Sequence, residues 1–280
     1  MSEHTDNPPI TLVIGGHGKT GSRVAERLAA AGRATRVASR STTPRFEWHD
    51  ESTWTAALDG TGSAYVTFQP DLAVPGSIEI ITAFGVAARD QGLEHLVLLS
   101  GRGEEQAQAR EAALADSGVA TTIVRCAFFA QNFSEHFLVD AVQDGVVALP
   151  AGDVTEPIVD VDDVAEVAAA ALLGQVPSGR VYELTGPRLM TFQDMADDLS
   201  KAIGRTITYL PVSTEEYVVA AKEAGVPGDE AEMLGALFAD IFDGHNSSLA
   251  SGVEEALGRP ARDFADFAVQ AAPTGVWTVS

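Results

Sequence analysis

The residues Gly15-Gly16-His17-Gly18-Lys19-Thr20-Gly21 form a GxxGxxG turn between the apolar run Thr11-Leu12-Val13-Ile14 and a helical pattern. Glycine lets a backbone turn tightly and approach a pyrophosphate closely. The helix that follows offers N–H groups and the positive end of its dipole to phosphate oxygens. His17, inside the turn, is expected near those phosphates. About twenty residues on, where a dinucleotide fold reads the adenosine ribose, stands Arg36-Val37-Ala38-Ser39-Arg40-Ser41. A carboxylate here would bond a free 2′-hydroxyl and repel a 2′-phosphate. Ser39 and Arg40 instead bring charge-assisted donors suited to the phosphate. The pattern therefore predicts NADP(H) as cofactor.

Two other ligands fit less well. Gly18-Lys19-Thr20 resembles the end of a P-loop, but the glycine required five positions earlier is Val13. An S-adenosylmethionine site wants an acidic residue where Ser39-Arg40 stands.

The usual acid for carbonyl reduction on such a fold is a Tyr-x-x-x-Lys pair, in which lysine lowers the tyrosine pKa. None of the four tyrosines, Tyr65, Tyr182, Tyr209 and Tyr217, has lysine four residues later, and Gly101 to Leu114 contains neither residue. A ketone becomes a basic alkoxide on hydride addition and needs such an acid. An iminium becomes a neutral amine, and a quinone or extended enone spreads its charge over a weakly basic oxygen. The expected acceptor is therefore pre-activated.

Ser100 reads equally as a partner of the nicotinamide or substrate and as the serine opening a turn before Gly101. It is the candidate catalytic residue. Phe68 and Gln69 end a strand where side chains can cover the cofactor, and Phe68 reads equally as core. The segment Cys126-Ala127-Phe128-Phe129-Ala130-Gln131-Asn132-Phe133 is aromatic-rich and follows the last strand of the first half, so it should overlie the cleft, with Phe129 and Asn132 toward substrate. Phe133 fits a buried helical stripe, and Cys126 a small buried hydrophobe rather than a nucleophile. The six histidines show no metal-ligand spacing with cysteine or paired acids, so no metal is expected.

These residues need a frame that brings strand ends together. Candidate strands are Leu12–Gly15, Thr35–Ser39, Arg45–Trp48, Ala64–Phe68, His95–Ser100 and Ala120–Arg125. Helical patterns lie between them at Ser52–Leu58, Ser77–Gln91 and Glu104–Ala115, and Gly32, Gly92 and Gly118 are placed as helix stops. The alternation predicts an α/β fold, a doubly wound parallel sheet of Rossmann type, with ligands outside the strand carboxyl ends.

After about Pro150 the pattern changes. A strand is expected at Glu156–Val159, a helix capped by Asp160 or Asp162 running to Leu173, a strand at Val181–Leu184, a helix at Thr191–Ile203 capped by Thr191, and a strand at Thr206–Leu210. Mostly helical segments follow from Ser213. The expected division is a dinucleotide-binding domain at 1–150 and a smaller, mostly helical C-terminal lobe at 151–280, partly interleaved with it.

At 280 residues, 45% hydrophobic, the chain can bury a sizeable core. A formal net charge of −22 opposes nucleic acid and anionic membranes as partners. A single cysteine forbids an internal disulfide and fits a reducing compartment. The start, Met1 to Pro9, shows no secretory pattern, and the apolar stretch Val164–Leu173 is too short to span a bilayer, so a cytoplasmic location is expected.

Taken together, Gly15 to Arg23, Val37-Ala38-Ser39-Arg40-Ser41, Phe46-Glu47-Trp48-His49-Asp50, Leu96 to Ser100, Phe129 to Glu135, Leu184-Thr185-Gly186-Pro187, Thr191-Phe192 and Gly204-Arg205 carry a resemblance over nearly the whole chain. The chain resembles the NmrA-like, atypical short-chain dehydrogenase/reductase family, and within it the ergot-alkaloid-type, agroclavine dehydrogenase-like branch. The resemblance implies a Rossmann domain with a small C-terminal lobe, NADP(H) and a small hydrophobic organic substrate, with a place in secondary metabolism. It implies that Gly15, Gly16, His17, Gly18, Lys19, Thr20, Gly21, Ser39 and Arg40 hold the cofactor, with Phe68, Ser100 and Phe128 about the nicotinamide; Asp50, Gln69 and Cys126 are further candidates for the cofactor site. The family also contains regulators that bind the dinucleotide without turning it over, and a silent NADP(H) sensor or a non-redox isomerase or cyclase stands as the alternative. There are two departures from the family pattern. Cys126 replaces the usual proline, and Ala107 stands where many relatives carry lysine.

Overall fold

The computed structural model describes residues 9–135 and 137–278. The polar start before Pro9 and His136 lie outside the described residues.

In chain order the elements are β1 (Ile10–Ile14), α1 (Lys19–Ala30), β2 (Thr35–Ala38), α2 (Trp54–Leu58), β3 (Thr61–Val66), α3 (Ser77–Asp90), β4 (His95–Gly101), α4 (Glu105–Ala115), β5 (Ala120–Cys126), α5 (Asn132–Glu135) and α6 (Val139–Asp144). They continue with β6 (Val146–Leu149), α7 (Val161–Leu172), β7 (Val181–Leu184), α8 (Phe192–Ile203), β8 (Thr208–Pro211), α9 (Thr214–Glu223), α10 (Gly228–Ile241), α11 (Gly252–Leu257) and α12 (Phe264–Ala271).

The chain forms two compact units: Met1–Cys126, Asp162–Leu184 and Gly252–Arg259 make the first, and Ala127–Val161, Thr185–Ser251 and Pro260–Ser280 the second. The first passage between them falls after Cys126, where β5 ends its pairing with β7 at Cys126 opposite Leu184.

In the first unit six strands pair in the order β2-β1-β3-β4-β5-β7. Every pairing is parallel. This is the doubly wound arrangement, with near-continuous apolar strands because both faces are covered. On one face Leu12, Ala64, Val66, Leu96, Leu98 and Ile123 join Phe46, Trp48, Trp54 and Phe84 in a single core. Alternation sends Val13, Tyr65 and Val97 to the other face, all fully buried, as are Val24 and Leu28 of α1. α1 is tied to α7 by Arg27 to Asp162 at 2.6 Å, and Arg259 reaches Asp163 at 2.7 Å and also pairs with Glu166. α1 ends as the sequence predicts: Gly32 takes a φ of 73° and donates to the Ala29 carbonyl.

The second unit is organised about the parallel pair β6–β8. Its core joins Phe133, Leu138, Val142, Leu149, Phe192, Met195, Leu199, Phe238, Phe264 and Trp277. Thr191 caps α8 in a capping box with Asp194, as its sequence predicts.

Two strand expectations are corrected, and one strand was not expected. Arg45–Trp48 is irregular, because its aromatics serve the core: Trp48 donates to the Thr67 carbonyl and Trp54 to that of Glu47. Glu156–Val159 makes only isolated bridges, Glu156 to Met190 and Val159 to Phe129. β6 went unread, since four residues after a helix-ending glycine give too short a pattern. Asp160 accepts a hydrogen bond from Gln131. Among the described residues no helix is long and apolar enough to cross a membrane.

Candidate active site

The glycine turn begins at the carboxyl end of β1, where the Gly15 N–H bonds the Ala38 carbonyl and Thr67 Oγ1 donates to the Ile14 carbonyl. Gly15 has a φ of 71°, and a Cβ there would collide with Thr67 Oγ1. A Cβ at Gly21 would collide with the Gly15 carbonyl, so this glycine allows α1 to pack tightly on the turn. α1 opens at Gly18, which brings no side-chain cap, and its first turn contains no acidic residue. That leaves a helix N-terminus chemically suited to an anion. His17 is exposed, and Lys19 and Thr20 form the first helical positions.

Beside it, at the end of β2, Ser39 holds a small loop together. Its hydroxyl lies 3.1 Å from Ser41 Oγ, and its N–H donates to Thr42 Oγ1 at 2.8 Å. Arg40 is exposed and engages no carboxylate among the described residues. A guanidinium left unneutralised at a ribose-reading position suits a 2′-phosphate. Asp50 lies further along this segment and accepts from Ser52 Oγ at 2.5 Å. Phe68 follows β3, but its ring is 7% exposed and packs on Trp48 at 4.9 Å, so the side chain belongs to the core. Gln69 is exposed.

At the end of β4 Ser100 lies opposite Arg125, and Arg125 opposite Glu183, across three neighbouring strands. Sequence reasoning missed the partner that Ser100 and Arg125 share. Glu111, 5% exposed on α4, accepts Ser100 Oγ at 2.5 Å. The same carboxylate takes both Arg125 Nε at 3.0 Å and Arg125 Nη2 at 2.5 Å. Arg125 Nη1 continues to Glu183 at 2.7 Å, which Arg102 approaches at 3.4 Å. The hydrogen bond to Glu111 raises the Arg125 pKa further above its ordinary value. The signal was present as Arg110-Glu111, eleven residues after Ser100, but nothing in one sequence distinguishes Glu111 from an exposed helical glutamate.

Cys126 is buried and its thiol points to the Val124 carbonyl at 3.6 Å. Burial pushes the thiol pKa up, which disfavours the nucleophilic thiolate. Tyr65 Oη is also buried and unpartnered, and burial raises its pKa. Tyr182 and Tyr209 donate to the carbonyls of Pro177 and Gly152, while Tyr217 packs on Phe238 at 5.1 Å.

In the second unit, the segment after β5 is held by backbone bonds from Ala130 to Val159 and from Val159 to Phe128. Gln131 adds a donor to Asp160 and an acceptor for the Val161 N–H. Phe128 is half-buried in a run of rings with Phe137, Phe192 and Phe242, centroids 5.5–6.4 Å apart. Phe129 is half-buried, whereas Asn132 is buried at 8% exposure and opens α5. Phe133 is buried in the core, as the helical stripe predicts. Among the described residues no cluster of His, Cys, Asp or Glu could hold a metal.

The parallel sheet and the uncapped glycine turn at the end of its first strand give the fold of a Rossmann-type dinucleotide-binding protein, and the relatives give its oxidoreductase class. No family model matches the chain. Individual relatives do. Agroclavine dehydrogenase of Claviceps fusiformis is 30% identical over 91% of this chain and 95% of its own length. A (4-alkanoyl-5-oxo-2,5-dihydrofuran-3-yl)methyl phosphate reductase of Streptomyces griseus is 31% identical over 93% and 97%. The crystal structure of Citrobacter sp. triphenylmethane reductase complexed with NADP(H) superposes with a TM-score of 0.81 at 22% identity, over 94% of this chain and 99% of that one. The chain belongs to the NmrA-like, atypical short-chain dehydrogenase/reductase family.

Proposed function

We propose that the protein is an NADPH-dependent reductase that delivers hydride to a pre-activated acceptor, an iminium, quinone or conjugated enone, in secondary metabolism. The observation that carries this reading is the pairing of an open, uncapped α1 N-terminus with an exposed Arg40 free of carboxylate partners. Gly15 to Gly21 would take the pyrophosphate, and Ser39 with Arg40 the 2′-phosphate. The bound dinucleotide supplies the hydride.

The acceptor class follows from the acids at hand. Tyr65, Tyr182 and Tyr209 are buried, Tyr182 and Tyr209 donate to carbonyls, Tyr217 is half-buried against Phe238, none has lysine four residues later, and the end of β4 offers the Ser100 hydroxyl. Reduction of an iminium adds hydride to carbon and moves the C=N π pair onto nitrogen, giving a neutral amine without a protein acid. The named substrate of the Streptomyces relative, an acyl-substituted unsaturated lactone, is likewise activated by conjugation, which supports the enone arm of the class.

Titration with NADPH and NADP⁺, followed by NADPH oxidation against iminium ions, quinones, enones and simple ketones, tests the proposal. The expected result is binding of both nucleotides and turnover of at least one activated class. Equal, tight binding with no turnover of any acceptor would replace the reductase with a silent sensor.

A further inference from the structure

Resting on the reductase reading, we propose that Glu111 is a positioning residue that turns the Ser100 hydroxyl into a hydrogen-bond acceptor for an N–H donor on the bound ligands. A serine hydroxyl has one proton and two lone pairs, whereas a carboxylate only accepts. The 2.5 Å contact between Ser100 Oγ and Glu111 Oε1 therefore consumes the serine proton. Among the described residues no donor reaches Ser100 Oγ, so its lone pairs are the hydrogen-bonding capacity left at the end of β4.

The arrangement is rigid. Glu111 and Ser100 are each 5% exposed. The carboxylate is gripped at both oxygens by Arg125, which Glu183 holds from the next strand at 2.7 Å. Rotating the hydroxyl outward would leave a buried carboxylate oxygen one donor short, at the cost of a charge-assisted bond. Ser100 is thus fixed as an acceptor. It suits a carboxamide or an iminium N–H, and it is the wrong polarity to protonate a nascent alkoxide.

One N–H chemistry has two sources here, the carboxamide of the dinucleotide and the nitrogen of the acceptor. The first arm compares equilibrium binding of NADPH with its 3-acetylpyridine analogue, which lacks the carboxamide N–H. The second compares an N–H iminium with its N-methyl counterpart in steady-state kinetics. Both arms use the wild type, Ser100→Ala, and a double variant Glu111→Met with Arg125→Met. Thermal melts confirm folding: the double change leaves neither Glu111 nor Arg125 as a lone charge, and Glu183, released from Arg125, is partly exposed and keeps Arg102 at 3.4 Å.

A roughly tenfold wild-type preference for the N–H ligand is expected in one arm, equivalent to about 1.4 kcal/mol. That preference should vanish in Ser100→Ala and also in the double variant, whose serine is intact but unheld. Preference in the first arm assigns the carboxamide, and preference in the second assigns the acceptor. No wild-type preference in either arm overturns the proposal. So does a double variant that folds and keeps the full preference. Because the first arm reads binding alone, it stands even if no acceptor is reduced. Failure to bind either dinucleotide overturns the reductase reading itself.

Discussion

Arg40 carries the cofactor assignment, and its substitution separates the two nicotinamide cofactors. Arg40→Asp removes charge-assisted donors worth about 2 kcal/mol and adds a charge that repels phosphate. NADPH should therefore bind about 30-fold more weakly, while NADH affinity holds or improves. A fluorescence titration of both reads the change, and unaltered NADPH affinity would remove Arg40 from the site. The glycines, Ser39 and Arg40 were legible because their chemistry is local: a turn, a helix start and a strand end lie within one stretch of chain. Glu111 was not legible. Its partners Ser100 and Arg125 come from two strands, with Glu183 holding Arg125 from a third, and only the parallel register brings them together. Ser100 was correctly placed at a strand end, but its hydrogen-bonding polarity depends on that hidden partner.

At the scale of elements, α8 was read from Thr191 and a 3.6-residue apolar pattern, and both hold. Thr191→Ala should cost about 1 kcal/mol, measured as a lower urea midpoint with unchanged slope. β4 and β5 meet at their amino ends through His95, whose Nε2 lies 2.9 Å from Thr122 Oγ1 and whose pKa is lowered by burial. In the unfolded chain histidine titrates near about 6.5. As pH falls below that value the unfolded state takes a proton that the folded state refuses, so stability declines until the lower folded value is reached. Above about 6.5 the contribution is fully present. His95→Gln should flatten that decline in denaturant melts taken between neutral pH and about pH 5, while an unchanged slope would assign it to other groups. The short strands β2 and β7 were read from the sequence, whereas β6 escaped it and a strand was wrongly expected at Arg45–Trp48. β6 is too short to show alternation, and Arg45–Trp48 spends its aromatics on the core instead of a ladder.

For the whole molecule, −22 formal charges on 280 residues make self-repulsion a general term. Salt at a few tenths molar screens such charges and should raise the melting temperature. A fall would mean that ion pairs such as Arg27–Asp162 outweigh the repulsion. The doubly wound parallel sheet and the helical character of the C-terminal part were legible from alternating elements. Some interleaving was expected, but which segments return to the first unit, residues 162–184 and 252–259, was not legible, because strand pairing is non-local.

The central claim is that hydride passes from the dinucleotide to a pre-activated carbon. A single-turnover reaction with NADPH deuterated at one face of C4 and a cyclic iminium acceptor tests it directly. The account predicts one deuterium on the former iminium carbon from one labelled face and none from the other. Full consumption of labelled NADPH with no deuterium from either face, or no reaction with any activated acceptor, would contradict it.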